Sequence, residues 1–220
     1  MNVVLFGATG MVGQGVLREC LLDRDLQSVL SVVRRPTSRT HPKLRELVHD
    51  DFHDFSSVER ELAGKDACFF CLGVSSLGLT EEDYRSVTLD ITVAATRALA
   101  KVSPNMTFVF VSGAGSDSSE RGPRMWARVK GMAENVVLNA PFRASYVFRP
   151  AYIQPLHGIT SRTRWYRVFY AIARPLMPLL VRLMPNSATT TEQIGRAMLG
   201  VARHGAPKRV LQSADINAIE

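Results

Sequence analysis

Seven residues near the start of the chain are spaced to hold a phosphate. Gly7, Gly10 and Gly13 punctuate the segment Gly7-Ala8-Thr9-Gly10-Met11-Val12-Gly13, which follows the apolar run Val3-Val4-Leu5-Phe6 and leads into a helix-like stretch from Gln14 to Leu22. Glycine at 7 permits a tight exit from a strand. Glycine at 10 lets backbone approach a pyrophosphate with no Cβ between them, and glycine at 13 allows close helix-to-strand packing. The N–H groups left open at a helix start, with the positive end of its dipole, then face the anion. Thr9, Met11 and Val12 lie in the same turn and join the three glycines as candidate contacts.

Two further segments bear on what that phosphate belongs to. Arg34-Arg35-Pro36 follows the second apolar run, where dinucleotide folds choose between cofactors: an acid hydrogen-bonds the ribose 2′-hydroxyl, an arginine accommodates a 2′-phosphate. Two arginines and no acid favour NADP over NAD. His49-Asp50-Asp51-Phe52-His53-Asp54 carries enough donor atoms for a cation, yet its spacing matches no specific metal pattern, so no metal is expected there. Asp51 and Phe52 are instead candidate neighbours of an adenine. Cys68 and Cys71 sit within an apolar run that reads as a strand, which puts them on opposite faces with Cα atoms ~10 Å apart, too far for a disulfide. They read, with Cys20, as buried thiols.

The elements that must position these residues alternate along the chain. Strand-like runs occur at Val3–Phe6, Ser28–Val33, Glu46–Val48, Ala67–Leu72, Thr107–Val111, Ala144–Phe148 and Val210–Gln212. A helix is predicted from about Glu81 to Val102, where Tyr84, Val87, Ile91, Ala94, Ala95, Ala98, Leu99 and Val102 recur every three or four residues. Thr80 supplies its cap and Glu81, Glu82 and Asp83 its acidic first turn. Another runs from Met125 to Leu138. The pattern predicts an α/β fold: a Rossmann-like, doubly wound and mostly parallel sheet with helices on both faces.

With 220 residues, 46% of them hydrophobic and 21% charged, the chain has the length and composition of one folded domain. Its net charge of +7 favours polyanions in general, but the excess is scattered and no basic block with interleaved aromatics occurs, so nucleic acid is not an expected partner. The apolar run is reached too early for a secretory signal peptide, and the expected location is the cytoplasm. Trp165 to Pro185 is densely apolar but interrupted by Arg167, Arg174, Arg182, Pro175 and Pro178, which argues against a membrane span. Within 152–185, a small apolar lobe covering a substrate or a second subunit fits better than a peripheral membrane contact.

The Gly7–Gly13 turn, Arg34-Arg35, Asp51-Phe52, Cys71-Leu72-Gly73, Val111-Ser112-Gly113, Val129-Lys130-Gly131 and Phe148-Arg149-Pro150 occur in one order. Together the chain resembles the atypical short-chain dehydrogenase/reductase superfamily, in particular its small NAD(P)-binding, epimerase-like members. The resemblance implies that Leu72 and Gly73 line the cofactor site, that Lys130 is a catalytic residue and also binds the nicotinamide ribose, and that Ser112, with Ser116 as substitute, is the catalytic serine. It also implies a catalytic tyrosine four residues before the lysine, where this chain has Trp126. Indole N–H is a donor that does not titrate usefully and cannot replace a phenol as acid or base. Two functions therefore stand: an NADP-dependent oxidoreductase or epimerase-like enzyme acting on an unidentified small molecule, and a non-catalytic NADP-binding regulator or assembly factor.

Overall fold

The computed structural model describes residues 1–159 and 187–219. The expected lobe falls outside them except for 152–159, as does the whole of the apolar stretch from Trp165 to Pro185.

Nine strands are described: β1 (Asn2–Phe6), β2 (Ser28–Val33), β3 (Leu44–Val48), β4 (Ala67–Phe70), β5 (Thr107–Val111), β6 (Ala144–Arg149), β7 (Tyr152–Gln154), β8 (Ala188–Thr190) and β9 (Val210–Gln212). Seven form one sheet in the order β3-β2-β1-β4-β5-β6-β9, and β7 pairs with β8 in a small second sheet. Every pairing is parallel. This is the Rossmann order extended by one strand.

Parallel strands covered on both faces read as continuous apolar runs, and β1 shows why. Val4 and Phe6 enter one core with Phe70, Phe108 and Phe110. Val3 and Leu5 enter the other with Phe69, Val109 and Phe148. The first core is closed by α4 (Ile91–Val102) and α5 (Met125–Asn139), the second by α1 (Met11–Leu22) and α6 (Thr191–His204). Cys68 joins the first core and Cys71 packs against the second, as strand alternation requires, and both thiols are free.

Two features depart from the sequence reading. The helix expected from Glu81 to Val102 is interrupted: α3 (Glu81–Arg85) passes through a π turn at Ser86–Asp90 before α4. Where the turn passes into α4, the Thr92 hydroxyl of α4 donates to the Thr88 carbonyl of the turn at 2.6 Å, competing with the regular ladder. The sequence reading also leaves α6 unassigned, although Thr190 caps it by accepting from the Gln193 N–H at 2.9 Å and Gly205 ends it at a φ of 75°. Helix α6 lies close against α1: a Cβ on Gly15 would meet Thr191 at 2.6 Å, and one on Gly195 would meet Glu19 at 2.6 Å. Among the described residues, the remaining α-helices are the short α2 (Glu59–Leu62) and α7 (Ser213–Asn217).

Candidate functional site

The strand order reverses between β1 and β4, and open parallel sheets bind ligands outside the carboxyl ends of their strands at such a switch point. Gly7 lies there. Its φ of 82° suits glycine, and a Cβ on it would come within 2.6 Å of the Cys71 carbonyl oxygen, which is how closely the β1 turn and the β4 exit approach. The Cys71 N–H donates to Phe6 O at 2.9 Å, continuing the ladder just past β4. A Cβ on Gly13 would sit 2.0 Å from the Gly7 carbonyl oxygen. Glycine at both positions is therefore dictated by the chain's own packing.

Gly10 differs. Its nearest neighbour for a Cβ is Gly7 O at 3.3 Å, so the protein itself makes the weakest demand for glycine here. Gly10 caps α1 with no side-chain hydrogen bond, and the first turn of α1 holds no acid. The start of α1 thus offers N–H groups and the positive dipole end uncompensated by protein anions. A dinucleotide pyrophosphate fits this cradle, whose shape a Cβ at Gly10 would change. Thr9, Met11 and Val12 are half-buried around it.

Arg34 and Arg35 follow Val33 at the end of β2 and are exposed. The loop after them is anchored by Glu46, which accepts from the Thr37 N–H at 2.8 Å and from its hydroxyl. It brings Arg39, which the sequence reading passes over, to the first turn of α1: its guanidinium donates to Gln14 Oε1 at 3.2 Å. After β3, Asp51 is exposed and accepts from the His53 N–H at 2.9 Å. Phe52 instead turns into the core, edge-on to Phe6 with ring centroids 6.4 Å apart. His49 engages the Asp54 carbonyl through Nε2 at 2.7 Å, and Asp54 accepts from the N–H and hydroxyl of Ser56. Leu72 is half-buried and Gly73 exposed beyond β4.

The second half of the site joins the end of β5 to α5. Ser112 is buried, and its hydroxyl lies 2.9 Å from that of Ser116. Ser116 donates to the Gly113 carbonyl at 2.8 Å, so in the serine pair Ser112 is the donor and keeps its lone pairs for another group. Trp126 and Lys130 share one face of α5, four residues apart. The indole lies against the loop: a Cβ on Gly115 would meet Trp126 Cη2 at 3.3 Å. Gly131 explains the Lys-Gly pair, because a Cβ there would lie 1.7 Å from the Asp117 carbonyl oxygen. Asp117 organises that loop, accepting from the Ser119 hydroxyl at 2.6 Å, the Ser119 N–H at 3.0 Å and the Gly122 N–H at 2.6 Å.

One turn beyond Lys130, Glu134 is fully buried and gripped by Arg149 at the end of β6. Arg149 Nε lies 3.0 and 3.1 Å from the two carboxylate oxygens, and its guanidinium also donates to Ser118 Oγ at 2.5 Å. Burial pushes the Lys130 ammonium below the usual lysine range, opposed by the Glu134 charge. The thiols of Cys20, Cys68 and Cys71 are all pushed up by burial, which makes them inert. The segment Val111–Pro150 holds three of the motifs read from the sequence, and the Arg149–Glu134 pair, like the Arg39–Gln14 contact, is not announced by any of them.

A family described as NAD(P)H-binding matches residues 7–147, from the glycine turn to β6. The chain belongs to this family. Among curated relatives, the mitochondrial protein FMP52 of Meyerozyma guilliermondii is 26% identical over 154 residues, 68% of this chain and 64% of that protein. FMP52 of Eremothecium gossypii is 28% identical over 152 residues, covering 68% and 65%. Leucinostatins biosynthesis cluster protein T of Purpureocillium lilacinum is 25% identical over 115 residues, covering 51% and 42%. The chain thus spans less than two thirds of the length of these relatives.

Solved structures share the fold at lower identity. A dTDP-glucose 4,6-dehydratase double mutant from Streptomyces venezuelae, with NAD and DAU bound, matches with a TM-score of 0.70 at 16% identity, over 96% of this chain and 75% of that one. Uronate dehydrogenase from Agrobacterium tumefaciens matches at 0.67 and 15%, over 97% and 76%. The expected Rossmann-like fold is therefore present, with NAD(P) binding as the family property. The cytoplasmic expectation is corrected: FMP52 relatives from six species, at 23% to 28% identity, are named mitochondrial. Compartments are set by receptor-read addresses, which the composition of a folded domain does not record.

Proposed function

We propose that the chain is an NADP-dependent oxidoreductase acting on a small carbonyl or hydroxyl compound, folded as one domain. The observation that carries this reading is the uncapped start of α1 at Gly10, set at the switch point between β1 and β4 and followed in space by the exposed Arg34-Arg35 pair. In this reading the backbone of Gly7–Gly13 holds the pyrophosphate, and Arg34 and Arg35 pair with the 2′-phosphate. Asp51 contacts the adenine from the surface while Phe52 supports it from the core. Leu72 and Gly73 line the path toward the nicotinamide, and Lys130 binds its ribose. When bound, the nicotinamide supplies or accepts hydride. Ser112, whose lone pairs are free, orients the substrate oxygen by accepting a hydrogen bond from its hydroxyl form.

Trp126 favours a second reading, a non-catalytic NADP-binding regulator, because it stands where the superfamily places a phenol. One experiment separates the two: NADPH is incubated with the protein and a panel of aldehydes and ketones while absorbance and melting temperature are followed. Protein-dependent NADPH oxidation supports the enzyme. A raised melting temperature with no oxidation across the panel supports the regulator.

A further inference from the structure

We propose that Lys130, and not an aromatic hydroxyl, is the proton-transferring group of this site, and that Arg149 keeps it free for that task by holding Glu134. The inference rests on the oxidoreductase reading above. Trp126, one turn before Lys130, offers only a donor that does not titrate usefully. Its indole lies against Gly115, which sets this face of α5 toward the loop that carries Ser112 and Ser116. The Lys130 ammonium has no hydrogen bond or ion pair among the described residues. Its natural partner would be Glu134, at the i, i+4 spacing where such pairs form. Arg149 instead occupies both oxygens of that carboxylate from β6.

The consequence is an amine on the Trp126 face of α5, half-buried and unpaired among the described residues. Burial disfavours its charged form, and the Glu134 charge opposes the effect without cancelling it. Among the described residues, the other charges packed against α5 are Arg149 from β6, Asp117 and Glu120 from the loop, Glu81 and Arg85 from α3, and Arg209 just before β9, whose guanidinium donates to the Leu138 carbonyl. In the reductive direction an Nζ–H bond breaks, its electron pair stays on a neutral amine, and the O–H bond of the product alcohol forms. The carbonyl carbon takes the hydride of a reduced nicotinamide dinucleotide. In reverse, the neutral amine takes the hydroxyl proton. Arg149 and Glu134 are positioning residues, acting through Lys130.

The test is the pH dependence of acylation by acetic anhydride on the whole chain without added cofactor, read lysine by lysine by peptide mass spectrometry. Lys130 is expected to reach half its limiting rate at a lower pH than the exposed Lys101 and Lys208. Glu134→Gln should lower that pH further. Arg149→Met should raise it, by leaving Glu134 to pair with Lys130. Should that variant fail to fold, the double variant Glu134→Gln/Arg149→Met removes both charges and is expected to keep the low value. Turnover of NADPH with benzaldehyde, followed in parallel, should shift its pH profile with the acylation profile, and Lys130→Gln should lower it by about 10²- to 10⁴-fold. A Lys130 profile that matches Lys101 in both the unmodified protein and Glu134→Gln overturns the proposal, as does turnover that survives Lys130→Gln. Failure of NADPH to bind, read separately by titration, counts against the oxidoreductase reading and leaves the acylation result standing.

Discussion

A Cβ on Gly13 would lie 2.0 Å from the carbonyl oxygen of Gly7, while one on Gly10 would lie 3.3 Å from that same atom. Two glycines of one motif are therefore fixed by the fold and the third is open for a ligand. Gly13→Ala should cost stability at the upper end of the about 1–3 kcal/mol typical of overpacking, because both crowded atoms are backbone. Gly10→Ala should cost about 1 kcal/mol or less, as a change at a helix cap does, yet lose cofactor binding. Chemical denaturation and NADPH titration on the two variants check both halves. Equal stability losses would mean the glycines play one structural role.

The Arg149–Glu134 pair should be costly to break from one side. Glu134 is fully buried and the Arg149 side chain is 15% exposed. Removing the arginine alone leaves Glu134 only Lys130 as a partner, which offsets part of the about 3–5 kcal/mol that an uncompensated buried charge costs, whereas replacing both partners by apolar residues of similar volume should cost less still. Denaturation of Arg149→Met, Glu134→Leu and the double variant gives the comparison. Additive losses would show that the two groups do not act as a pair.

How much of this was legible in the sequence depends on how local each cause is. The glycine turn was readable because φ and Cβ clearance are properties of single residues, and Arg34-Arg35 because β2 ends where its apolar run ends. Phe52 was read as a ligand neighbour, yet it packs edge-on to Phe6 in the core, a partner that only the sheet supplies. The π turn at Ser86–Asp90 left the apolar spacing of the surrounding helix nearly unchanged and so could not be seen in it. Helix α6 had a cap in Thr190 and a stop in Gly205, but its apolar face is completed by α1, nearly two hundred residues away. The Arg149–Glu134 pair likewise joins a strand end to a helix, and neither residue announces the other.

Acid should loosen the loop that faces α5. The Ser119 hydroxyl, then the Gly122 N–H and its neighbours, hold the Asp117 carboxyl below its ordinary value of 3.8. For an acid whose folded value is depressed, the stabilisation is present above the ordinary value and is lost as pH falls through the folded one. Glu192, held down first by its hydrogen bond from His157, and Asp215, by Lys208, act in the same direction. Hydrogen exchange at residues 118–122 should therefore quicken below about pH 4 relative to the intrinsic rate. Asp117→Asn should show that faster exchange already at neutral pH. An exchange pattern in the variant identical to that of the unmodified protein would remove Asp117 from this role.

Arg39 should tune cofactor affinity without being essential. It reaches Gln14 in the first turn of α1 from the loop that begins at Arg34. Arg39→Ala should weaken NADPH binding by no more than the ~1.5–3 kcal/mol of one charge-assisted hydrogen bond. Its effect on NADH should be smaller. Titrations of both cofactors decide the matter, and an equal loss for the two would place Arg39 away from the 2′-phosphate.

That the start of α1 and the end of β2 together hold NADP is tested most directly by calorimetric titration of the unmodified protein with NADPH and NADH. Tighter binding of NADPH is expected. The preference should disappear in Arg34→Ala/Arg35→Ala, each arginine contributing ~1.5–3 kcal/mol through charge-assisted hydrogen bonds to the phosphate. Equal affinities for the two cofactors in the unmodified protein, or a preference that survives loss of both arginines, would contradict it.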